Sequence, residues 1–273
     1  MIAIAGAIEF APLVGATVPV DFPALATALD IDTAPVPGGE SGARYHPEYD
    51  GYPNGPKGKR VKQADTVMLP FPLGVAMDAE TQANDLAWYE PNTDPGGPAM
   101  TWAVFAIGWL DVGNYTRASE LFRRGFELNV KPPFMVWQET PHGGCTPFLT
   151  GAGGLLQSVV FGSSGMRLLA DRLTFNPPPA SASGGSATSI TMHGFHYRGS
   201  QLSLTVTEDH VSFVLDAIAP GAPPLEFVGA DGKARPLVLG EAALRVPRAP
   251  KLEIRVRTKV LTSYGNGGRH QAI

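Results

Sequence analysis

One carboxylate, Glu139, lies in a sequence setting that could do chemistry. It follows an apolar segment that ends in Trp137 and precedes a tight polar loop, residues 141–145. An acidic residue between an aromatic wall and a glycine-rich turn is well placed to point into a pocket and act as a general acid or base. The alternative is structural, with Glu139 capping the next helix or pairing with a basic residue. This stretch alone favours the structural role, because structural carboxylates outnumber catalytic ones.

A second polar cluster lies in a long loop, residues 31–59. Its residues 45–52, Tyr-His-Pro-Glu-Tyr-Asp-Gly-Tyr, hold three tyrosines and three ionisable groups. Aromatic rings suit stacking on sugar faces, and the polar groups suit hydrogen bonding to hydroxyls. An ordered loop that is pinned by its own tyrosines fits the same residues equally well.

Other chemistries find little support in the sequence. The net charge of −4, without any basic run, argues against nucleic acid and anionic membrane surfaces as partners. The single cysteine, Cys145, excludes an internal disulfide, and no phosphate-loop, GxGxxG or GxSxG motif occurs. His193 and His196 fall in a region of period two, which predicts opposite strand faces and no shared metal. We therefore expect neither a metal nor a cofactor.

The apolar spacing predicts a run of helices in the first part of the chain. They cover residues 2–14, 21–30 with Asp21 as N-cap, 77–89 with Asp78 as N-cap, two helices after 96–98 and 113–114, and 147–161. The helix after 113–114 should turn Arg117, Arg123 and Arg124 outward. In the last helix, a buried face is predicted by the helical spacing of Phe148, Ala152, Leu155, Leu156 and Val159.

The first 20 residues are apolar but make a poor signal peptide, since they lack a basic start and are interrupted by Glu9 and Pro12. They are also too interrupted for a membrane span. We therefore expect a soluble chain of undetermined compartment, with residues 2–14 as a buried core helix. A chain that starts inside such a helix looks cut from something larger.

The pattern changes after residues 176–185, a Pro/Ser/Gly stretch typical of a linker. Apolar residues then alternate with polar ones over 202–206 and again over 211–215, which predicts a β-hairpin with one buried face. Residues 252–257 predict another strand. Strands that follow a run of helices indicate two domains, a helical one over 1–165 and a β-sandwich-like one over 166–273.

Five ordered motifs give this chain a family resemblance. They are HPEYDGY at 46–52, VKQAD at 61–65, GPAMTW at 97–102, QET at 138–140 and FLTGAGGLLQSVVFG at 148–162. Together they resemble the C-terminal half of glycoside hydrolase family 65, in the acid-trehalase-like branch that includes glucosidases of glycosylated hydroxylysine. The resemblance covers roughly residues 1–220.

The resemblance implies a partial (α/α)6 barrel of the six-hairpin glycosidase type followed by a small β-sandwich. It implies an inverting glucosidase that acts on an α-glucosyl disaccharide unit, such as glucosyl-galactosyl-hydroxylysine, through one carboxylic acid and one carboxylate base. The motif match makes Glu139 the base that activates water, and makes Lys62 and Gln63 sugar ligands. Candidate further sugar contacts are Tyr45, His46, Glu48, Asp50, Trp102 and Trp137.

Two departures from the family pattern matter. The family's phosphorylases bind phosphate through a His/Ser/Ser-type loop, where this chain has residues 97–101 with one hydroxyl and no histidine. This difference favours water over phosphate as the nucleophile. The family's general acid is the glutamate of a Gly-Pro-Asp-Glu motif, which occurs nowhere in this chain. We therefore expect a fragment or degenerate copy that is inactive alone, and the alternative is a non-catalytic carbohydrate-binding or structural remnant.

Overall fold

The computed structural model describes residues 2–56, 58–183 and 187–257. In this part the helices come first and the longer strands follow, so the fold is mixed α/β. The helices are α1 (Ile2–Phe10), α2 (Phe22–Ala28), α3 (Ala79–Asn92), α4 (Thr101–Asp111), α5 (Tyr115–Glu127) and α6 (Leu149–Gln157). Two short antiparallel pairs interrupt them, β1 (Ala34–Pro35) with β2 (Arg44–Tyr45), and β3 (Val130–Lys131) with β4 (Val136–Trp137).

Helix α4 is the centre of the helical part. Its residues from Thr101 to Gly108 are all buried, so it is covered on every side and not on one face alone. It packs against α3, α5 and α6. The predicted Asp78 N-cap of α3 is confirmed, because its Oδ1 accepts the Thr81 N–H at 2.7 Å. On α5, Arg123 is exposed as predicted, but the Arg124 guanidinium lies 3.6 Å from the Trp102 ring centre, so the outward prediction for Arg124 is wrong.

The predicted buried face of α6 is also wrong. Leu156 and Val159 are 62% and 42% exposed, whereas the buried residues of α6 and the π-helical turn after it (Ser158–Gly162) are small. A β-carbon at Gly151 would lie 2.7 Å from the Ala99 Cβ, and one at Gly154 would lie 2.9 Å from the Met100 Cβ. The helix therefore presents its backbone to the start of α4, and its larger side chains point away.

The first two helices differ from the prediction as well. No residue of α1 or α2 is buried within the described part of the chain, so residues 2–14 do not form a core helix there. The two helices contact each other, and apolar residues such as Leu13 and Val14 are exposed. Asp21 precedes α2 but makes no capping hydrogen bond with its side chain. Burial of an apolar helix needs a partner surface, and helical spacing alone does not supply one.

Two antiparallel sheets follow. Their strands are β5 (Met166–Leu168), β6 (Arg172–Phe175), β7 (Ser189–Tyr197), β8 (Ser200–Thr207), β9 (His210–Ile218), β10 (Leu225–Val228), β11 (Ala234–Pro236), β12 (Leu244–Pro247) and β13 (Leu252–Val256). One sheet has the order β11-β10-β13-β6-β5 and the other β12-β9-β8-β7. Both contribute to one hydrophobic core around Phe175, Phe213 and Phe227. The predicted β8–β9 hairpin is confirmed, with Leu202, Leu204 and Val206 buried.

Two further predictions for this part fail. The linker-like stretch is packed, since residues 177–180 and Ala182 are buried and the turn Ala180–Ser183 lies against α5; residues 184 and 185 lie outside the described residues. His193 and His196 are both exposed on the same side of β7, not on opposite faces. A bulge between Met192 and Phe195 causes this, because it turns both of those apolar side chains towards the core.

Candidate active site

Glu139 lies at the base of a tight turn that its own backbone closes. Its N–H donates to the Cys145 carbonyl, and the Cys145 N–H donates to its Oε2, both at 3.1 Å. Between them, Thr140 and Gly143 exchange backbone hydrogen bonds. One carboxylate oxygen is therefore held by the turn, and the other, Oε1, has no hydrogen bond from the described residues.

Gly144 is the residue that lets this turn approach the carboxylate. Its φ of 92° lies in the left-handed region that favours glycine, and a β-carbon there would be 2.7 Å from Glu139 Oε2. Glu139 is half-buried. Neither structural alternative from the sequence describes it: the N-cap position of α6 is Phe148, and Glu139 makes no ion pair with any described residue. The structural role of its carboxylate is to brace the turn.

Lys62 and Glu139 flank the same short segment. A β-carbon at Gly97 would lie 2.3 Å from the Lys62 carbonyl oxygen, so the two backbones are in direct contact. Two residues later, the Ala99 N–H donates to the Glu139 carbonyl at 2.8 Å. The same segment is fixed beside Val61, whose carbonyl accepts the Asp94 N–H at 2.9 Å. Residues 92–99 thus join the Lys62 motif to the Glu139 motif.

An open cavity of about 700 Å³ lies on the Lys62 side of this segment. The charged side chains that line it are Glu48, Asp50, Arg60, Lys62 and Asp65. Thr66 donates its hydroxyl to Glu48 Oε2 at 2.6 Å, and burial raises the pKa of Glu48 above its ordinary value. Among the described residues, neither Gln63 nor Glu139 lines this cavity. Carboxylates and cations around an open space of this size suit a ligand rich in hydroxyls.

Three predicted sugar contacts lie in the interior. Tyr45, His46 and Trp102 are at most 6% exposed, and the side chains of Tyr45 and Trp102 pack in the helical core. Nδ1 of His46 lies 2.7 Å from Asp85 Oδ2, and Trp102 is covered by Arg124. We therefore assign these three no direct contact with a sugar. The 45–52 loop is pinned by Tyr45 and Tyr52, as the structural interpretation has it, but Glu48 and Asp50 still reach the cavity.

The remaining aromatic candidate, Trp137, is half-buried and packs on the backbone of α6 at Gly151. Sequence reasoning missed Arg60 and Asp65 as cavity residues. Both flank Lys62 within three residues, so the motif could have indicated them.

The described residues include no group of three or more His, Cys, Asp or Glu side chains placed to hold a metal ion. In the same part of the chain, no helix combines the length and the apolar character needed to cross a bilayer.

Comparison with known proteins supports the family resemblance. No family model matches the chain, but curated relatives named as glucosidases, kojibiose hydrolases and acid trehalases do match it. The chain is therefore similar to part of these enzymes, which supports the resemblance to the glucosidase branch of glycoside hydrolase family 65. It spans about a quarter of the length of the first curated relatives it matches.

The particular relatives are as follows. Protein-glucosylgalactosylhydroxylysine glucosidase of Danio rerio is 45% identical over 170 residues, which are 62% of this chain and 25% of that protein. The Gallus gallus protein of the same name is 42% identical over 186 residues, 68% of this chain and 25% of the relative. Kojibiose hydrolase of Mucilaginibacter mallensis is 38% identical over 119 residues, 43% of this chain and 18% of the relative.

A solved structure shows the same fold over much of the chain. It is a putative kojibiose phosphorylase from human microbiome, with a TM-score of 0.52 and 16% identity. The match covers 71% of this chain and 26% of that one. At this identity the likeness concerns the fold alone.

Proposed function

We propose that this chain carries the base half of an inverting glucosidase site, with Glu139 as the residue that activates water. The observation that carries the proposal is the turn at 139–145, which fixes Oε2 by a backbone N–H and leaves Oε1 open to take a proton. In an inverting reaction, water so activated attacks the anomeric carbon while an acid on the opposite face protonates the departing oxygen. The acid of the Gly-Pro-Asp-Glu type is not among these 273 residues.

The nucleophile in this proposal is water and not phosphate. The segment 97–101 has one hydroxyl, Thr101, which is fully buried, and its Oγ1 has no hydrogen-bond partner among the described residues. Gly97 is pressed against the Lys62 carbonyl. The segment therefore offers a phosphate ion no exposed hydroxyl, which supports a hydrolase.

The substrate we propose is an α-glucosyl disaccharide unit, of which glucosyl-galactosyl-hydroxylysine and kojibiose are the examples suggested by the relatives' names. Lys62 would hold the glucose, and Glu48 and Asp50 would accept hydrogen bonds from hydroxyls in the cavity. Gln63 stays a proposed sugar ligand on its motif alone, because it does not line the cavity. Trp137 stays a candidate contact beside Glu139.

For the fold, we propose that residues 1–165 are part of an (α/α)6 barrel and that residues 166–273 form a β-sandwich-like domain. The change from helices to two facing sheets at Met166 supports this division. Scanning calorimetry tests it. Two thermal transitions, with Phe213→Ala lowering the midpoint temperature of only one of them, would support two folding units. A single cooperative transition would mean one unit.

The base role can be tested without the missing acid. Fluoride leaves a sugar without being protonated, so α-glucosyl fluoride needs a base and not an acid. We expect the chain to hydrolyse it slowly to β-glucose, followed by NMR, and to release no glucose from kojibiose or trehalose. Glu139→Gln should lower the fluoride rate by about 10²- to 10⁴-fold while kojibiose binding stays within about twofold.

Two further variants sharpen this experiment. Gly144→Ala keeps the carboxylate but displaces it, so it should lose part of the rate, whereas Glu241→Gln changes an exposed glutamate of the β part and should lose none. If kojibiose binds but the fluoride rate does not depend on Glu139, the base assignment is wrong. That outcome would favour the second candidate function, a non-catalytic carbohydrate-binding or structural remnant, which the missing acid motif already suggests.

A further inference from the structure

A buried network joins the cavity loop to α3. The His46 N–H donates to Asp85 Oδ1 at 2.7 Å, and its ring Nδ1 donates to Asp85 Oδ2 at the same distance. The Tyr89 hydroxyl donates to the His46 carbonyl at 2.7 Å. Asp85 and Tyr89 are one helical turn apart, so α3 engages the backbone N–H, the backbone carbonyl and the ring of a single loop residue.

This network is deep in the protein. Asp85 is 1% exposed, Tyr89 2% and His46 6%. A buried carboxylate carries a large desolvation cost, and a buried polar pair adds little net stability compared with apolar residues of the same size. Both Asp85 oxygens are bound by His46 and by no other described residue. The structural effect of this arrangement is therefore to fix the position of His46.

His46, which Asp85 fixes in place, lies two positions before Glu48, a carboxylate that lines the cavity. Glu48 lines the cavity and is held at its far end by the Thr66 hydroxyl, while Tyr49 closes the loop by donating its hydroxyl to the Gly58 carbonyl at 3.0 Å. The loop is thus fixed from α3 on one side and from the segment after Asp65 on the other. A shift of His46 would be transmitted over two residues to Glu48.

We propose that Asp85, acting through His46, is a positioning residue that holds Glu48 and Asp50 in the cavity where the sugar binds. Asp85 is not a catalytic residue, because it is buried and its side chain forms hydrogen bonds only with His46 among the described residues. The inference rests on the proposed function for the identity of the ligand, but the anchoring itself does not depend on it. Its expected signature is weaker binding together with local loosening of the loop, without a general loss of structure.

The experiment measures two quantities on the full chain, the Kd for kojibiose by calorimetry and amide hydrogen exchange by mass spectrometry. We expect Asp85→Ala to weaken kojibiose by about tenfold or more, and Tyr89→Phe, which removes one hydroxyl, by about threefold. Asp85→Asn still accepts the His46 N–H through Oδ1, and its Nδ2 can donate to Nδ1 once the His46 ring takes the Nε2–H tautomer, so it should restore binding to within about threefold of the unmodified chain. Exchange should rise in residues 46–56 and not in β8 and β9.

The matched control is Glu90→Gln on the same helix. Glu90 bonds Trp109 and Arg117, away from the loop, so its loss should lower stability without changing the kojibiose Kd or the exchange of residues 46–56. If Asp85→Ala fails to fold, Tyr89→Phe still decides the question.

Unchanged exchange of residues 46–56 in Tyr89→Phe, or loosening spread evenly over the chain, would overturn the anchoring. If those residues loosen but the unmodified chain binds no kojibiose, the anchoring is supported and the proposed sugar is wrong. If they loosen while kojibiose binds the variants unchanged, the link from Asp85 to the cavity is overturned.

Discussion

The two parts of the chain bury their apolar residues in different ways. In the β part, the inward residues of β8 and β9 alternate with polar ones, and the apolar sides of both sheets meet in one core. In the helical part, α4 is buried all round, α6 buries glycines, and α1 and α2 bury no described residue. Alternation in paired strands therefore identifies the inner face by itself, whereas helical spacing does so only where a partner of the right shape is present.

The largest effect should come from the core of the β part. Phe213 is 1% exposed and its ring lies 5.1 Å from Phe175 and 5.3 Å from Phe227, so Phe213→Ala should lower the free energy of unfolding by about 3–5 kcal/mol. Leu156→Ala, on the face of α6 that the sequence predicts to be buried, should change it by no more than about 0.5 kcal/mol. Urea denaturation measures both. A large loss in Leu156→Ala would erase the difference between the two parts.

A smaller effect should separate two neighbouring glycines of α6. Gly154→Ala places a β-carbon 2.9 Å from the Met100 Cβ and 3.0 Å from its Cα, so α6 must move away from α4 at a cost of about 1–3 kcal/mol. Gly153 has open space around it, and Gly153→Ala should stabilise by up to about 1 kcal/mol through helix propensity. Thermal denaturation followed by circular dichroism checks the sign. Equal effects at both positions would mean that α6 does not pack by its backbone.

The smallest effect should come from the cap of α3. The Thr81 backbone N–H holds the pKa of the Asp78 carboxyl below its ordinary value. A lowered folded pKa stabilises above the unfolded pKa of about 4, and this contribution is lost as the pH falls through the folded value. Asp78→Ala should therefore lower Tm slightly at pH 7, and the difference should shrink as the pH falls below about 4. Glu80→Ala, an exposed neighbour, is the control. A difference in Tm that is as large in acid as at pH 7 would show that the cap does not act through charge.

The sequence predicts correctly those structural features that depend on residues close together in the chain. The Asp78 cap and the β8–β9 hairpin depend on residues close together in the chain, and both are confirmed. The face of α6 depends on Ala99 and Met100, about 50 residues away, whose close approach has no local signal. The bulge in β7 places His193 and His196 on the same face of the strand, where the sequence predicts opposite faces. A glycine inside a strand often marks a bulge, so Gly194 is a local signal for it.

The candidate site divides in the same way. Glu139, Lys62 and Gln63 came from short motifs, and the structure adds the 92–99 segment that joins Glu139 to Lys62. The burial of Tyr45 and His46 depends on their packing against α3, which begins more than 30 residues later. The loop sequence alone therefore fits exposed sugar contacts and a loop pinned by its tyrosines equally well. Asp85 carried no signal of its own, because a single acidic residue in a polar helix is ordinary.

The turn at Glu139 also gives this protein a built-in attachment point for spectroscopy. Cys145 is the only cysteine of the chain and its thiol is exposed, so a maleimide dye or nitroxide would attach at a single position. The contact between Cys145 and Glu139 Oε2 uses the backbone N–H, which remains when the sulfur is modified. A reporter can therefore be installed one hydrogen bond from the carboxylate without any mutation, and Cys145→Ser provides the unlabelled reference.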